Sequence, residues 1–301
     1  MVDDMVSASP DEISEGYAEV MSDLSFAQTH FAGSRIEGYL NQLALALHHN
    51  VYRQHPGRWR HVLRFWTHEI PLAVYDSRKC LFASLAVFLL AWFIGVISAL
   101  GDESFTELIM GEGYMDMTRR NIEAGIPMGV YGTQPSSTMF CAITLNNVRV
   151  AFLCFVLGVF TSIFPGVSLM FNGIMIGAFQ TFFYQQHLLG ECLYATMLHG
   201  TLELSAIVIA GGAGIQLGNG WLFPGTYSRP RSFLMAARRA VRVLVSTVPV
   251  FVVAAFIESF LTRYTLIGNG FRLLIIGSSA AFLVFYYILL PIKRHRDARP
   301  A

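Results

Sequence analysis

Residues 150–190 read VAFLCFVLGVFTSIFPGVSLMFNGIMIGAFQTFFYQQHLLG, and they contain no Asp, Glu, Lys or Arg. Such a run is typical of a membrane-embedded chain, because about 20 apolar residues in a helix cross the hydrocarbon core of a bilayer. This run is too long for one crossing, and the Pro165-Gly166 pair inside it predicts a break between two helices. We therefore place one span at about residues 140–164 and the next at about 167–187.

The composition of the whole chain agrees with a membrane protein. Of the 301 residues, 54% are hydrophobic and 14% are charged, whereas soluble domains carry about 25% charged residues. A soluble globule of this size could not bury so much apolar surface, and a disordered chain would be far more polar. The net charge of +1 also excludes a nucleic-acid binder that works through bulk charge.

Four further apolar runs complete a set of six spans, at residues 80–100, 192–216, 243–262 and 273–292. In lipid, a single run of this kind satisfies its backbone polar groups only as a helix. We therefore predict an all-α polytopic protein with six transmembrane helices, in which residues 80–292 form the membrane domain.

Basic residues alternate across the connecting segments and predict the orientation of the helices. Sixteen of the 21 Lys and Arg residues precede span one or follow spans four and six, and the other five are Arg119, Arg120, Arg149, Arg263 and Arg272. Because basic residues concentrate on the cytoplasmic side, both termini are predicted to be cytoplasmic. Residues 101–139 then form an external acidic loop, and residues 293–301 form a basic cytoplasmic tail.

Residues 1–79 are predicted to form a cytoplasmic segment of amphipathic helices. Near its end, three aromatic side chains alternate with three arginines; the set is Trp59, Phe65, Trp66, Arg58, Arg60 and Arg64. This mixture is typical of a helix at the membrane–water interface, with aromatic rings and basic groups at the headgroup level. A small helical hairpin in the cytoplasm would show the same pattern, so both interpretations stay open.

Polar side chains inside the spans are the candidates for a functional site, since they are costly in lipid. His199 and Glu203 are four residues apart in span four and share one helix face. Gly200 lies between them, and we expect it to admit a neighbouring backbone. A His–Glu pair can relay protons, bind a cation or lock helices together. The amides that we add to this intramembrane polar cluster are Asn146, Asn147 and Asn172.

Glycines and one further acid complete the set of intramembrane residues. Two GxxxG pairs predict close helix packing, and they are Gly173 with Gly177 and Gly214 with Gly218. A single helix–helix contact does not use all of these glycine-lined faces, so we also predict that the chain forms a homo-oligomer. Glu258 lies near the outer end of span five, where we expect it to snorkel or to pair with Arg263.

Signatures of catalysis are missing from the sequence. It contains no HExxH, GxSxG or Walker A motif. The pair of His199 and Glu203 lacks the third ligand that a catalytic zinc normally needs. We therefore expect no enzymatic activity, no metal and no cofactor.

The order of these residues resembles the stage II sporulation protein M (SpoIIM) family of integral membrane proteins. The resemblance covers about residues 80–290, and its specific part is Asn146-Asn147, Pro165, Asn172-Gly173 and His199-Gly200-x-x-Glu203. It implies a non-enzymatic scaffold that organises or remodels the bacterial cytoplasmic (inner) membrane through self-assembly and protein partners.

Members of the SpoIIM family occur beside RDD-type membrane proteins and MoxR-type ATPases, so the resemblance implies partners of those kinds. The residues themselves leave a second function open. A transporter or channel could use an intramembrane site formed by His199 and Glu203, and the cost of burying these groups in lipid supports such a role. A structural role, in which Glu203 bonds to a neighbouring helix and fixes the packing, explains the same residues.

Overall fold

Helices make up nearly all of the chain in this computed structural model. The structure describes residues 10–53, 58–102, 104–127, 129, 136–262 and 268–298. The chain is 90% helical, and no strand occurs among the residues described. Six helices are long and apolar enough to cross a membrane. The predictions of an all-α fold and of six spans are therefore confirmed.

The chain divides into two compact units, Met1–Arg64 and Phe65–Ala301. The first contains α1 (Pro10–His30), α2 (Arg35–Arg53) and α3 (Arg58–Arg64). Helices α1 and α2 pack against each other through small and medium apolar side chains, and the buried ones are Leu24, Ala27, Ala44 and Leu47. The predicted cytoplasmic segment extends to residue 79, beyond the end of this unit, and its cytoplasmic location stays a prediction.

The second unit contains the six membrane helices and the shorter helices that flank them. Before the first span lie a π-helical turn (Phe65–Glu69) and α4 (Ile70–Asp76). The first span and the pair of helices after it are α5 (Arg78–Gly101), α6 (Ser104–Met110) and α7 (Glu112–Glu123). The middle spans are α8 (Ser136–Leu157), α9 (Ile163–Gln185) and α10 (Leu189–Leu222). Next come α11 (Arg229–Phe256) with a π-helical turn (Ile257–Thr262), then α12 (Asn269–Val284), a π-helical turn (Phe285–Leu289) and α13 (Leu290–Asp297).

The break between the second and third spans lies earlier than the sequence predicts. Helix α8 ends at Leu157, and Pro165 lies in the first turn of α9. Proline is tolerated in a first turn because the amides there have no helical acceptor to lose. The prediction that Pro165 closes the second span is therefore wrong.

Helix α10 is the central and most buried of the six spans, and α12 is the least buried. Helix α10 packs against α5, α8, α9, α11 and α12. The largest completely buried apolar side chains on α10 and around it include Leu169, Leu198, Leu217, Val243 and Phe251. The core of the bundle therefore forms around this one helix.

Glycines allow the helices to approach closely inside the bundle. A Cβ atom on Gly173 would lie 2.6 Å from the carbonyl oxygen of Phe88 on α5, and one on Gly177 would overlap the carbonyl of Trp92. The second pair packs in the same way, with Gly214 against Cys154 and Pro165 and with Gly218 against Ser162. Both GxxxG pairs are thus used within one chain, so the step from these glycines to a homo-oligomer does not hold.

Helices α6 and α7 cover one end of the bundle, which we call the α7 side. Met115 on α7 is completely buried in an apolar cluster with Phe179, Phe182 and Phe183 of α9 and Cys192 of α10. The opposite end, where α10 turns into α11 at residues 223–228, is called the basic side. The helical pair α6–α7 therefore forms a packed cap rather than a detached loop.

Candidate functional site

Three titratable side chains meet between α10 and the end of α11. His199 and Glu203 come from successive turns of α10, and Glu258 comes from the π-helical turn at the end of α11. One nitrogen or carboxylate oxygen from each residue lies within 4.8 Å of those of the other two. His199 is buried and the two glutamates are nearly so. We call these three residues the triad.

The π-helical turn brings α11 into contact with His199 on both sides of the imidazole ring. The Oε1 atom of Glu258 lies 3.8 Å from Nε2 of His199, and the hydroxyl of Thr262 lies 3.4 Å from Nδ1. Glu258 and Thr262 are four residues apart, so both lie on the face of this turn that meets α10.

Thr262 contacts both His199 and its own helix. Its hydroxyl lies 3.4 Å from Nδ1 of His199 and donates to the backbone carbonyl of Ile257 at 3.3 Å. Thr262 therefore borders the Nδ1 side of the imidazole ring, and Glu258 borders the Nε2 side.

A cavity of about 210 Å³ reaches the triad from the α7 side. Met110 of α6 and Tyr114 of α7 lie at its α7 end, and Leu204 is the α10 residue that lines it farthest toward the basic side. None of the described residues that line it is Lys or Arg. Among the described residues of the cavity wall, no basic side chain balances the two carboxylates.

Gly200 has a different role from the one that the sequence suggests. A Cβ atom at this position would meet only the side chains of Met197 and Leu204, at 3.7 Å or more. No neighbouring backbone approaches Gly200, so that prediction is wrong. The missing side chain instead leaves room in the cavity wall beside the triad.

Tyr114 forms part of the cap over this cavity. Burial raises the pKa of its phenol, and the nearby Cys192 and Glu258 raise this pKa further. The phenol is therefore neutral at pH 7 and keeps its proton as a hydrogen-bond donor at the α7 end of the cavity.

A family model for stage II sporulation protein M (SpoIIM) matches residues 84–263 of this chain. The chain belongs to the SpoIIM family. The matched part runs from α5 through the π-helical turn that ends α11, so it contains the whole triad. With six apolar helices, this SpoIIM protein is a multi-pass membrane protein.

A second model, for a domain of unknown function (DUF8413), matches residues 3–53, which include α1 and α2. This second match lies entirely within the N-terminal unit and does not overlap the SpoIIM match. No curated protein and no solved structure matches the chain.

The three predicted asparagines of this SpoIIM protein separate in the structure. The side chain of Asn147 on α8 reaches the carboxylate of Glu203. Asn147 is 6% exposed, and among the described residues its Nδ2 atom has no hydrogen-bond partner. Asn146 lies on the exposed face of α8, and Asn172 donates to the carbonyl of Ser168 in its own helix, at 2.9 Å. Only Asn147 of these three thus adjoins the triad.

The residues predicted to lie at the membrane interface also separate. In the membrane unit, Phe65 and Trp66 are half-buried against the bundle core, and the hydroxyl of Tyr286 donates to the carbonyl of Trp66 at 2.9 Å. In the N-terminal unit, the side chains of Trp59, Arg60 and Arg64 are exposed. The side chain of Arg58 lies outside the described residues. The interfacial role of these residues stays a prediction.

Glu258 is the site residue that sequence reasoning missed. Arg263, the partner expected for it, lies outside the described residues, so that pairing stays a prediction. The Oε1 atom of Glu258 lies 3.8 Å from Nε2 of His199. The sequence does show an acid four residues before Thr262 near the end of a span. A single sequence does not show that this end of α11 packs against α10.

Proposed function

We propose that this SpoIIM protein is a non-enzymatic membrane component that organises or remodels the membrane by assembling with itself and with other proteins. Family membership supports this function, since SpoIIM is not a known enzyme family. The observation that carries the proposal is a polar, lipid-facing surface on α8.

The exposed face of α8 presents Asn146 and Arg149 within the span. Arg149 is eight residues from the end of the helix at Leu157, a distance of about 12 Å along the axis. The charge count of the sequence places this arginine on the external side, whereas the structure places it inside the span. The described residues provide no ion pair for it.

Lipid cannot satisfy these groups. An arginine near the centre of a span costs about 2.5–3.5 kcal/mol on insertion scales. A second membrane helix that offers a carboxylate, an amide or a carbonyl removes most of that cost, because interhelical hydrogen bonds form readily in the bilayer. We infer that the α8 face, defined as the surface around Asn146 and Arg149, contacts another membrane chain in the assembly.

We also propose where the assembly lies and what it contains. The assembly belongs to the bacterial cytoplasmic membrane, with both termini in the cytoplasm, and it contains several copies of this chain. RDD-type membrane proteins and MoxR-type ATPases are its proposed partners at the level of the family.

A transporter or channel is the second candidate function, and the cavity is the observation that favours it. The cavity reaches Glu203 from the α7 side, but no residue of α10 beyond Leu204 lines it. Since α10 continues to Leu222, the cavity stops near the middle of the helix. A cavity with one end suits a binding site better than a pathway across the membrane.

Extraction of the protein in polymer-bounded native nanodiscs tests the proposed assembly. We expect particles that contain more than one chain of 33.5 kDa. Replacing Asn146 and Arg149 together by leucine should shift the particles toward single chains, because the polar contact is removed. The matched control is Ser278→Leu on α12, which also changes an exposed polar residue of a span. Wild-type particles that hold a single copy and no partner at every expression level would contradict the proposal.

A further inference from the structure

We propose that His199, Glu203 and Glu258 form a binding site for one divalent transition-metal cation of the Zn²⁺ class. This inference goes beyond the assembly proposed above, and it does not depend on that assembly. Three features support it: the donor set, the groups behind the donors, and the cavity that leads to them.

The donor set has the composition and the spacing of a metal site. Zinc is bound by imidazole nitrogen and by carboxylate oxygen at about 2.0–2.2 Å, so the ligand atoms of a tetrahedral site lie roughly 3.3–3.6 Å apart. The Nε2 atom of His199 and the Oε1 atom of Glu258 are 3.8 Å apart, and all three donor atoms lie within 4.8 Å of one another. Rotation of the glutamate side chains closes the remaining gap without moving a helix.

Groups behind the donors hold His199 in the state that binds metal. Metal-bound histidines commonly donate their second ring N–H to an oxygen atom, which fixes the tautomer and the ring orientation. The hydroxyl oxygen of Thr262, 3.4 Å from Nδ1 of His199, would take this role in the metal-bound state. Beside Glu203, the buried amide of Asn147 has an Nδ2 atom without a hydrogen-bond partner. A carboxylate turned toward an ion, or a water molecule bound to that ion, provides an acceptor for this amide.

Charge and ligand type select the class of cation. Two carboxylates with no Lys or Arg among the described cavity residues are balanced by a divalent ion. Mg²⁺ and Ca²⁺ prefer ligand sets made only of oxygen atoms, whereas imidazole favours Zn²⁺ and its first-row neighbours. Three protein ligands also leave one tetrahedral position for a water molecule, and the cavity has the volume to hold it.

The proposed ion links two helices. Two of its ligands lie on α10 and one lies at the end of α11, beneath the cap that α7 forms. Metal binding therefore stabilises the folded bundle, because the unfolded chain has no preformed site.

Metal analysis of the full chain in lipid nanodiscs tests the proposal. Protein from zinc-supplemented cells should contain about one zinc ion per chain. After removal of the metal with a chelator, ZnCl₂ should restore this ratio and raise the unfolding temperature. In His199→Gln and Glu258→Gln the zinc ratio should fall close to zero. The matched controls, His187→Gln and Glu191→Gln, change an exposed His–Glu pair with the same spacing and should leave the ratio unchanged.

Two further measurements keep the test decisive if a ligand variant fails to fold. Thr262→Val should weaken zinc affinity by about 10- to 100-fold while the chain stays folded, and Thr262→Ser should restore it. In the metal-free wild type, CoCl₂ should give the visible absorption of tetrahedral cobalt. A wild type that binds neither ZnCl₂ nor CoCl₂ overturns the proposal, as does zinc binding that persists in folded His199→Gln and Glu258→Gln. Neither result bears on the particle mass that tests the assembly.

Discussion

Replacing Gly173 by alanine tests the packing of α9 on α5. A Cβ atom at this position would lie 2.6 Å from the carbonyl oxygen of Phe88 and 2.8 Å from the Cβ of Ala91, whereas ordinary contact begins near 3.4 Å. Both neighbours belong to rigid parts of α5, so the two helices must separate by a few tenths of an ångström or more. Overpacking of this kind costs about 1–3 kcal/mol. We expect about 2 kcal/mol, a loss of up to roughly 30-fold in the ratio of folded to unfolded protein.

The control for this prediction is Gly200→Ala, another buried glycine in a membrane helix. Its Cβ atom would meet only flexible side chains at 3.7 Å or more, so we expect no loss of stability. Unfolding of both variants in mixed detergent micelles, followed by tryptophan fluorescence, gives the comparison. Equal stability of Gly173→Ala and Gly200→Ala would refute the packing of α5 against α9 described above.

Three further predictions concern topology, a hydrogen bond between helices and a helix cap. In a chain whose four cysteines are replaced by serine, Ser104→Cys should react with an impermeant thiol reagent in intact cells, and Ser228→Cys should react only after permeabilisation; the reverse pattern would contradict cytoplasmic termini. Tyr287→Phe removes a buried hydroxyl that donates to α11 at 3.0 Å and should cost about 0.5–1.5 kcal/mol in thermal unfolding, whereas exposed Tyr184→Phe should cost nothing. The amide and hydroxyl of Ser104 donate to Asp102 and lower the pKa of this carboxyl. The stabilisation that these hydrogen bonds give to the start of α6 is present above the unfolded pKa of Asp102, and it is lost as the pH falls through the lowered folded pKa. Hydrogen exchange at the start of α6, corrected for the intrinsic rate, should therefore be constant from about pH 8 to pH 5.

The sequence predicts the membrane helices well because their signal is local. Each span is an apolar run of sufficient length, and no contact with another part of the chain is needed to recognise it. Helix ends depend on contacts, which explains the error at Pro165. Gly158 follows the end of α8 and packs against Gly214 on α10, and a sequence alone does not show that crossing.

The site is only partly predictable, for a geometric reason. Neighbouring residues on a helix point about 100° apart, so Asn146 and Asn147 cannot both face α10. The sequence shows two equal amides, and the packing of α8 decides which one adjoins Glu203. The position of Glu258 depends in the same way on how the end of α11 packs against α10. His199 and Glu203 are recognisable because their spacing of four places them together on any regular helix.

X-ray absorption at the zinc edge tests the intramembrane site most directly, with the full chain in lipid nanodiscs. The triad predicts a first shell of nitrogen and oxygen atoms at about 2.0–2.2 Å, with an imidazole contribution and no sulfur. The chain also has four free cysteines, which offer the competing ligands. Zinc–sulfur distances of about 2.3 Å, or a spectrum that is unchanged in folded Glu258→Gln, would contradict the site formed by His199, Glu203 and Glu258.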